Sequence, residues 1–225
     1  MLTEKKREFI EFMLSANVLR FGEFVTKSGR NTQYFVNTGL YRTGAQLSRL
    51  GKYYAGLVAE TIGGEFDAMF GPAYKGIPLV SACAPALWQE HHIDKPYFFN
   101  RKEAKDHGEG GVTVGYQPKD GDKIIIIEDV ITAGTAVRES MSILKACANV
   151  TVSDVFISVN RCEVGLTPGK TAIMEVEEEF GVKVHPIVTV ADIHEYLQEN
   201  GASIGLDPAL IQAMEGYMAQ YCILN

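Results

Sequence analysis

The run KIIIIE at residues 123–128 narrows the possible folds more than any other segment of the chain. A strand with one face in water alternates apolar and polar residues. This run does not alternate, so both faces must be covered, as in a parallel sheet between layers of helices. Other short apolar segments share its setting: DAMF (67–70), PYFFN (96–100), VSDVFISV (152–159) and KVHPIV (183–188). Helical spacing fills the intervals near 76–91, 135–148 and 171–180. Strand and helix in alternation specify an α/β fold with a central, mostly parallel sheet flanked by helices. VTVGY (112–116) and the turn PKDGD before KIIIIE suggest a local hairpin. Ahead of the sheet, residues 3–17 read as an amphipathic helix, 19–37 as two short strands around the turn Lys27–Asn31, and 45–62 as a helix closed by Gly63-Gly64. Two more helices, near 191–200 and 207–220, end the chain.

With 225 residues, 46% of them hydrophobic, one domain (1–225) with a sizeable core is expected. The net charge of -7 gives no general attraction to nucleic acid or to an anionic membrane, so an anionic ligand must be held by a local group of cations. Cys83, Cys147, Cys162 and Cys222 form no C-x-x-C pair and suit neither a zinc site nor a disulfide framework. They read as reduced thiols of a cytoplasmic protein. Glu11 interrupts the apolar run near the N-terminus, which argues against a signal peptide. No stretch approaches the ~20 apolar residues of a membrane span.

In α/β sheets of this kind ligands sit at the carboxyl ends of the strands, here the loops 71–76, 101–111, 128–136 and 160–163. The strongest local signal is IIIIEDVITAGTA, residues 124–136. The strand ends in Glu128 and Asp129; Val130 and Ile131 follow, then Thr132-Ala133-Gly134-Thr135-Ala136 and a helix. Small residues let the backbone approach a phosphate, and the helix N-terminus offers unpaired N–H groups and partial positive charge. Carboxylates beside a phosphate site repel phosphate unless they hold sugar hydroxyls or a cation. Phosphate below and vicinal hydroxyls above describe a ribose 5-phosphate. Capping acids are the plain alternative, but they do not explain acids so far ahead of the helix.

This pattern resembles the signature by which type I phosphoribosyltransferases bind 5-phosphoribosyl 1-pyrophosphate (PRPP). That family commonly has Asp at both acid positions, so Glu128 is a departure. The resemblance implies a small N-terminal hood, mainly 1–40, over a PRPP-binding core at about 65–190. It places pyrophosphate in the loop GPAYKGIP (71–78), with Lys75 projecting and the peptide before Tyr74 in the cis form. The segment FFNRKEAKDHGEGG (98–111) carries Arg101, Lys102, Lys105 and His107 ahead of three glycines. It resembles the catalytic loop of orotate phosphoribosyltransferases, which closes over the neighbouring subunit's site. That implies a homodimer with shared sites, Arg101, Lys105 and His107 serving the partner and Lys102 its own subunit.

FGEFVTKSGRNTQYFVNTG (21–39) resembles the N-terminal motif of the same enzymes. The likeness puts Lys27 at the substrates and Tyr34, Phe35 and Val36 along the pyrimidine, together with Thr132. Phe35-Val36 stands where that family often has two aromatics, which thins the stacking wall. Arg161 matches the arginine that meets the orotate carboxylate; its plain alternative is a surface salt bridge with Glu163. Mg²⁺ is expected with PRPP, carried mainly by substrate oxygens and water, with Asp129 reaching it through water. A purine phosphoribosyltransferase would share 124–136 but not the 21–39 motif or Arg161. A non-catalytic PRPP-binding regulator would need a basic surface or an added DNA-binding domain. Cys162 beside Arg161 and the pair Tyr53-Tyr54 read as packing residues.

Overall fold

The computed structural model describes residues 2–25, 29–105 and 111–224. Helix α1 (Glu4–Ser15) leads into the antiparallel pair β1 (Leu19–Val25) and β2 (Asn31–Val36), then α2 (Gly44–Ile62). There follow β3 (Ala68–Gly71), α3 (Gly76–His91), β4 (Tyr97–Lys105), β5 (Gly111–Gly115), β6 (Lys123–Ile127), α4 (Thr135–Cys147), β7 (Thr151–Asn160), α5 (Ala172–Phe180), β8 (Lys183–Thr189), α6 (Val190–Asn200) and α7 (Pro208–Tyr221). Thr43 starts α2 with a capping box closed by Gln46, which satisfies donors that the first turn would otherwise leave unpaired.

The second sheet has the order β5-β4-β3-β6-β7-β8, and all its pairings are parallel except β4 with β5. The four isoleucines of β6 show why the run does not alternate. Ile125 and Ile127 join the apolar cluster that includes Phe9, Tyr54, Val80 and Leu197, while Ile124 and Ile126 join the opposite cluster with Val137, Leu144 and Val176. Each is fully buried, worth about 1.5–3 kcal/mol per side chain relative to exposure.

One expectation is corrected. The strand at 111–115 pairs antiparallel with β4, as in Phe98↔Gly115 and Asn100↔Thr113, so the hairpin at this edge spans the cationic segment. The PKDGD turn instead delivers the chain to the middle of the sheet, where β6 lies between β3 and β7. Residues 101–105 are accordingly strand, not loop.

Helices α2 and α3 pack at close range through Gly51. A Cβ built there would lie 2.4 Å from the Ala82 carbonyl oxygen. Gly51→Ala is expected to destabilise the protein by about 1–2 kcal/mol, overpacking outweighing the better helix propensity of alanine. A melting temperature at or above the parent's would show that the two helices can part without cost. Among the described residues no helix is long and apolar enough to cross a membrane.

Candidate active site

Because β3, β4, β6 and β7 are parallel neighbours, their carboxyl ends meet on one edge. Four groups gather there, starting with the two acids. Glu128 is 5% exposed and Asp129 6%. Backbone bonds clamp both to β7: Glu128 N–H donates to Phe156 O at 2.9 Å and Ser158 N–H to Asp129 O at 2.9 Å. The Ser158 hydroxyl adds a second bond to Asp129 O at 2.7 Å, and the Tyr54 hydroxyl donates to Glu128 O at 2.6 Å. Tyr54 is thus a buried support of the site, in keeping with its reading as a packing residue.

The side chains differ sharply in electrostatics. Glu128 accepts one bond, from Asp129 N–H at 2.8 Å. Burial first, and then the neighbouring Asp129 charge, push its carboxyl up to about 8. Burial would raise Asp129 too, but Lys75 Nζ at 2.7 Å and the Thr38 hydroxyl at 2.8 Å outweigh it and hold that carboxyl below the usual range. Two adjacent acids are therefore separated in function, one able to keep its proton at neutral pH and one firmly ionised.

The turn that follows is built for an anion. Gly134 has φ 72° and precedes α4. A Cβ there would lie 2.7 Å from Val176 Cγ2 and 2.9 Å from Arg138 Nη1. Arg138 donates to Ala133 O at 2.7 Å while pairing with Glu179 at 2.7 Å, so it braces the turn from behind. Thr132, Ala133, Thr135 and Ala136 are exposed at the helix N-terminus. Val130 bridges to Val159 and is half-buried, and Ile131 is buried in the core.

The Ala73–Tyr74 peptide is cis, as the resemblance implied. Ala73 N–H donates to Asn100 Oδ1 at 2.7 Å, which ties this loop to the first half of β4. Tyr74 is exposed, and Lys75 leans back over Asp129. Next along the edge, Arg101 and Lys102 line a cleft of about 560 Å³ together with Asn100, Thr135, Arg138 and Glu139. Lys102 pairs with Glu139 at 3.3 Å. The base of the cationic segment thus shares a cleft with the start of α4. Lys27 and His107 lie outside the described residues, as does the side chain of Lys105.

At the end of β7, Arg161 does pair with Glu163, Nη2 to Oε1 at 2.6 Å, but the arginine side chain is only 13% exposed. The pair is half-buried, with Glu163 20% exposed. The guanidinium lies 4.6 Å over the Tyr34 ring. Tyr34, expected along the pyrimidine, is fully buried beneath that guanidinium and supports it. Phe35 stacks on Phe24 at 5.4 Å, and Val36 is half-buried. Arg161 and Thr132 line one narrow slot with Ile131, Asn160 and Glu163.

Thr38, Asn100 and Arg138 are site residues that the sequence alone does not single out. Their signal is weak: a threonine after a strand, an asparagine ending one, and an arginine on a helix face.

Residues 38–153 match the phosphoribosyl transferase domain family. Over 222 residues the chain is 48% identical to an orotate phosphoribosyltransferase of Lachnoclostridium phytofermentans, covering 98% of each. It is 52% identical over 214 residues to that of Thioalkalivibrio sulfidiphilus, covering 95% of this chain and 96% of the relative. A crystal structure of orotate phosphoribosyltransferase from Francisella tularensis superposes with a TM-score of 0.84 at 40% identity, over 96% of this chain and 100% of that one.

Proposed function

Because the chain belongs to the orotate phosphoribosyltransferase family, we propose that the groups gathered at the strand ends divide one reaction between them. The enzyme transfers the phosphoribosyl group of PRPP to orotate, giving orotidine 5′-monophosphate and pyrophosphate, in pyrimidine biosynthesis. Thr132, Ala133, Gly134, Thr135 and Ala136 anchor the 5′-phosphate on the N-terminus of α4. Glu128 and Asp129 hold the ribose hydroxyls. Lys75 and the Tyr74 backbone meet the pyrophosphate, joined by Arg101, Lys102, Lys105 and His107 as negative charge grows on the leaving group. Arg161 takes the orotate carboxylate, with Lys27, Phe35 and Val36 around the ring. The C1′–O bond breaks as the deprotonated ring nitrogen attacks from the opposite face.

Among the described residues no three His, Cys, Asp or Glu side chains gather as around an ion. The ionised, nearly buried Asp129 suits a Mg²⁺ whose ligands would come mainly from PRPP and water. When bound, it neutralises pyrophosphate charge, with Asp129 holding it through water. We read the protein as a cytoplasmic homodimer of single-domain subunits, the hood over its own core and the 101–111 segment serving the neighbour.

One observation supports the acceptor assignment: Thr132 of the phosphate turn and Arg161 line the same narrow slot, which brings the arginine beside the turn that would anchor the sugar phosphate. The test follows orotate loss by absorbance with PRPP and Mg²⁺, against adenine, hypoxanthine and uracil. Turnover specific to orotate is expected; preference for another base would remove Arg161 from the acceptor site. Lys105→Ala is expected to lower kcat about tenfold with little change in KM. An unchanged kcat with a raised KM would make the segment a binding clamp.

A further inference from the structure

The end of the chain is stitched to the segment that carries Arg161. Val164 N–H donates to Tyr221 O and Ile223 N–H to Cys162 O, each at 2.8 Å. Between them Glu163 and Cys222 form an antiparallel bridge. One side chain of α7 crosses this seam: the Tyr217 hydroxyl donates to Glu163 Oε1 at 2.7 Å. That same oxygen accepts Arg161 Nε at 2.9 Å and Nη2 at 2.6 Å. The Tyr217 ring also stands edge-on to Tyr34 at 6.4 Å, and Tyr34 carries the guanidinium on its face. From the hood, Arg30 reaches Glu163 Oε2 at 3.8 Å and lies 5.1 Å from the Tyr221 ring centroid.

A guanidinium offers five N–H donors in a flat fork. Glu163 occupies the Nε–Nη2 edge. The Nη1–Nη2 edge then remains for a planar carboxylate to meet with two parallel bonds. An arginine that is fixed before its ligand arrives loses less freedom on binding. A carboxylate on Arg161 could instead act as a competitor that the ligand must displace. The Tyr217 hydroxyl argues against release, because it holds the very oxygen that holds the arginine.

We infer that Glu163 and Tyr217 are positioning residues for the acceptor, and that the C-terminal helix is a working part of the base site: it fixes which edge of Arg161 faces the orotate carboxylate. This rests on the reading of Arg161 as the carboxylate's partner.

The experiment measures KM for orotate and for PRPP, kcat and melting temperature in Arg161→Met, Glu163→Gln and Tyr217→Phe. Tyr217→Phe keeps the ring against Tyr34 and removes only the hydroxyl. Expected is a rise in orotate KM of about fivefold in Tyr217→Phe and more in Glu163→Gln, with PRPP KM and melting temperature near the parent's. A lower orotate KM in Glu163→Gln would identify a competitor and overturn the inference. Equal rises in both KM values with a lower melting temperature, or no change, would overturn it too. If Arg161→Met raises orotate KM while the other two variants match the parent, the positioning role alone falls. If Arg161→Met leaves orotate KM unchanged, the acceptor assignment falls and the positioning role with it.

Discussion

Lys75→Ala is expected to lower kcat about 100-fold, the scale seen when one preorganised charge donor is removed from a reacting centre. The lysine is about half exposed, with Nζ anchored at 2.7 Å on a carboxylate that is nearly buried. Its ammonium has three donors, so a position held by Asp129 still leaves donors for departing pyrophosphate. That charge develops as the C1′–O bond breaks, so the loss belongs in kcat more than in KM. A second effect follows from the same bond. Without Lys75, burial acts on Asp129 with less opposition, and its pKa rises. The acid limb of the kcat/KM profile should therefore move to higher pH. Lys75→Arg keeps the charge and should recover part of the rate while holding the acid limb near its original place. If Lys75→Ala instead leaves kcat within threefold and raises only KM for PRPP, the lysine is a ground-state anchor.

How far such residues can be read in advance depends on whether their role is local. The phosphate turn is legible because acids, small residues and helix start follow one another along the chain. The β6 isoleucines are legible because two covered faces leave a simple pattern. Asn100 is not, since its meaning comes from Ala73, 27 residues away in sequence and adjacent only once β3 and β4 pair. Thr38 and Tyr217 are similar: each acts on a carboxylate distant in sequence, Asp129 and Glu163. The hairpin expected at 112–116 has a different partner because a turn with Gly121 can close two antiparallel strands or carry the chain past two others. Which happens is decided by sheet order, a tertiary property. The burial of Tyr34 under a guanidinium is not legible either, because alternation along β2 cannot tell which face an arginine just after β7 will cover.

Glu128→Gln should change the pH dependence of stability more than any surface substitution. In the ligand-free protein the Glu128 carboxyl is raised to about 8 from 4.5, by burial and by the Asp129 charge. Between these values the folded chain binds a proton that the unfolded chain has released. Stability from this group is thus complete below about pH 4.5, falls as pH rises through the window, and is level above about 8. Each pH step of one across that window is worth ~1.4 kcal/mol, so the whole window amounts to a few kcal/mol. Glutamine cannot ionise, and its carbonyl can still accept from Asp129 N–H. The variant should match the parent near pH 5 and exceed it near pH 9 by roughly that amount, as denaturant unfolding at a series of pH values would show. Parallel curves across the range would mean that Glu128 is ionised throughout, and that water or a movement of Lys75 solvates it. The same substitution should raise KM for PRPP above about pH 8, where the parent's carboxyl ionises and offers a ribose hydroxyl a stronger acceptor than an amide oxygen. A stabilised but weakened enzyme is the combination expected where a buried acid is kept for its substrate at a cost to the fold.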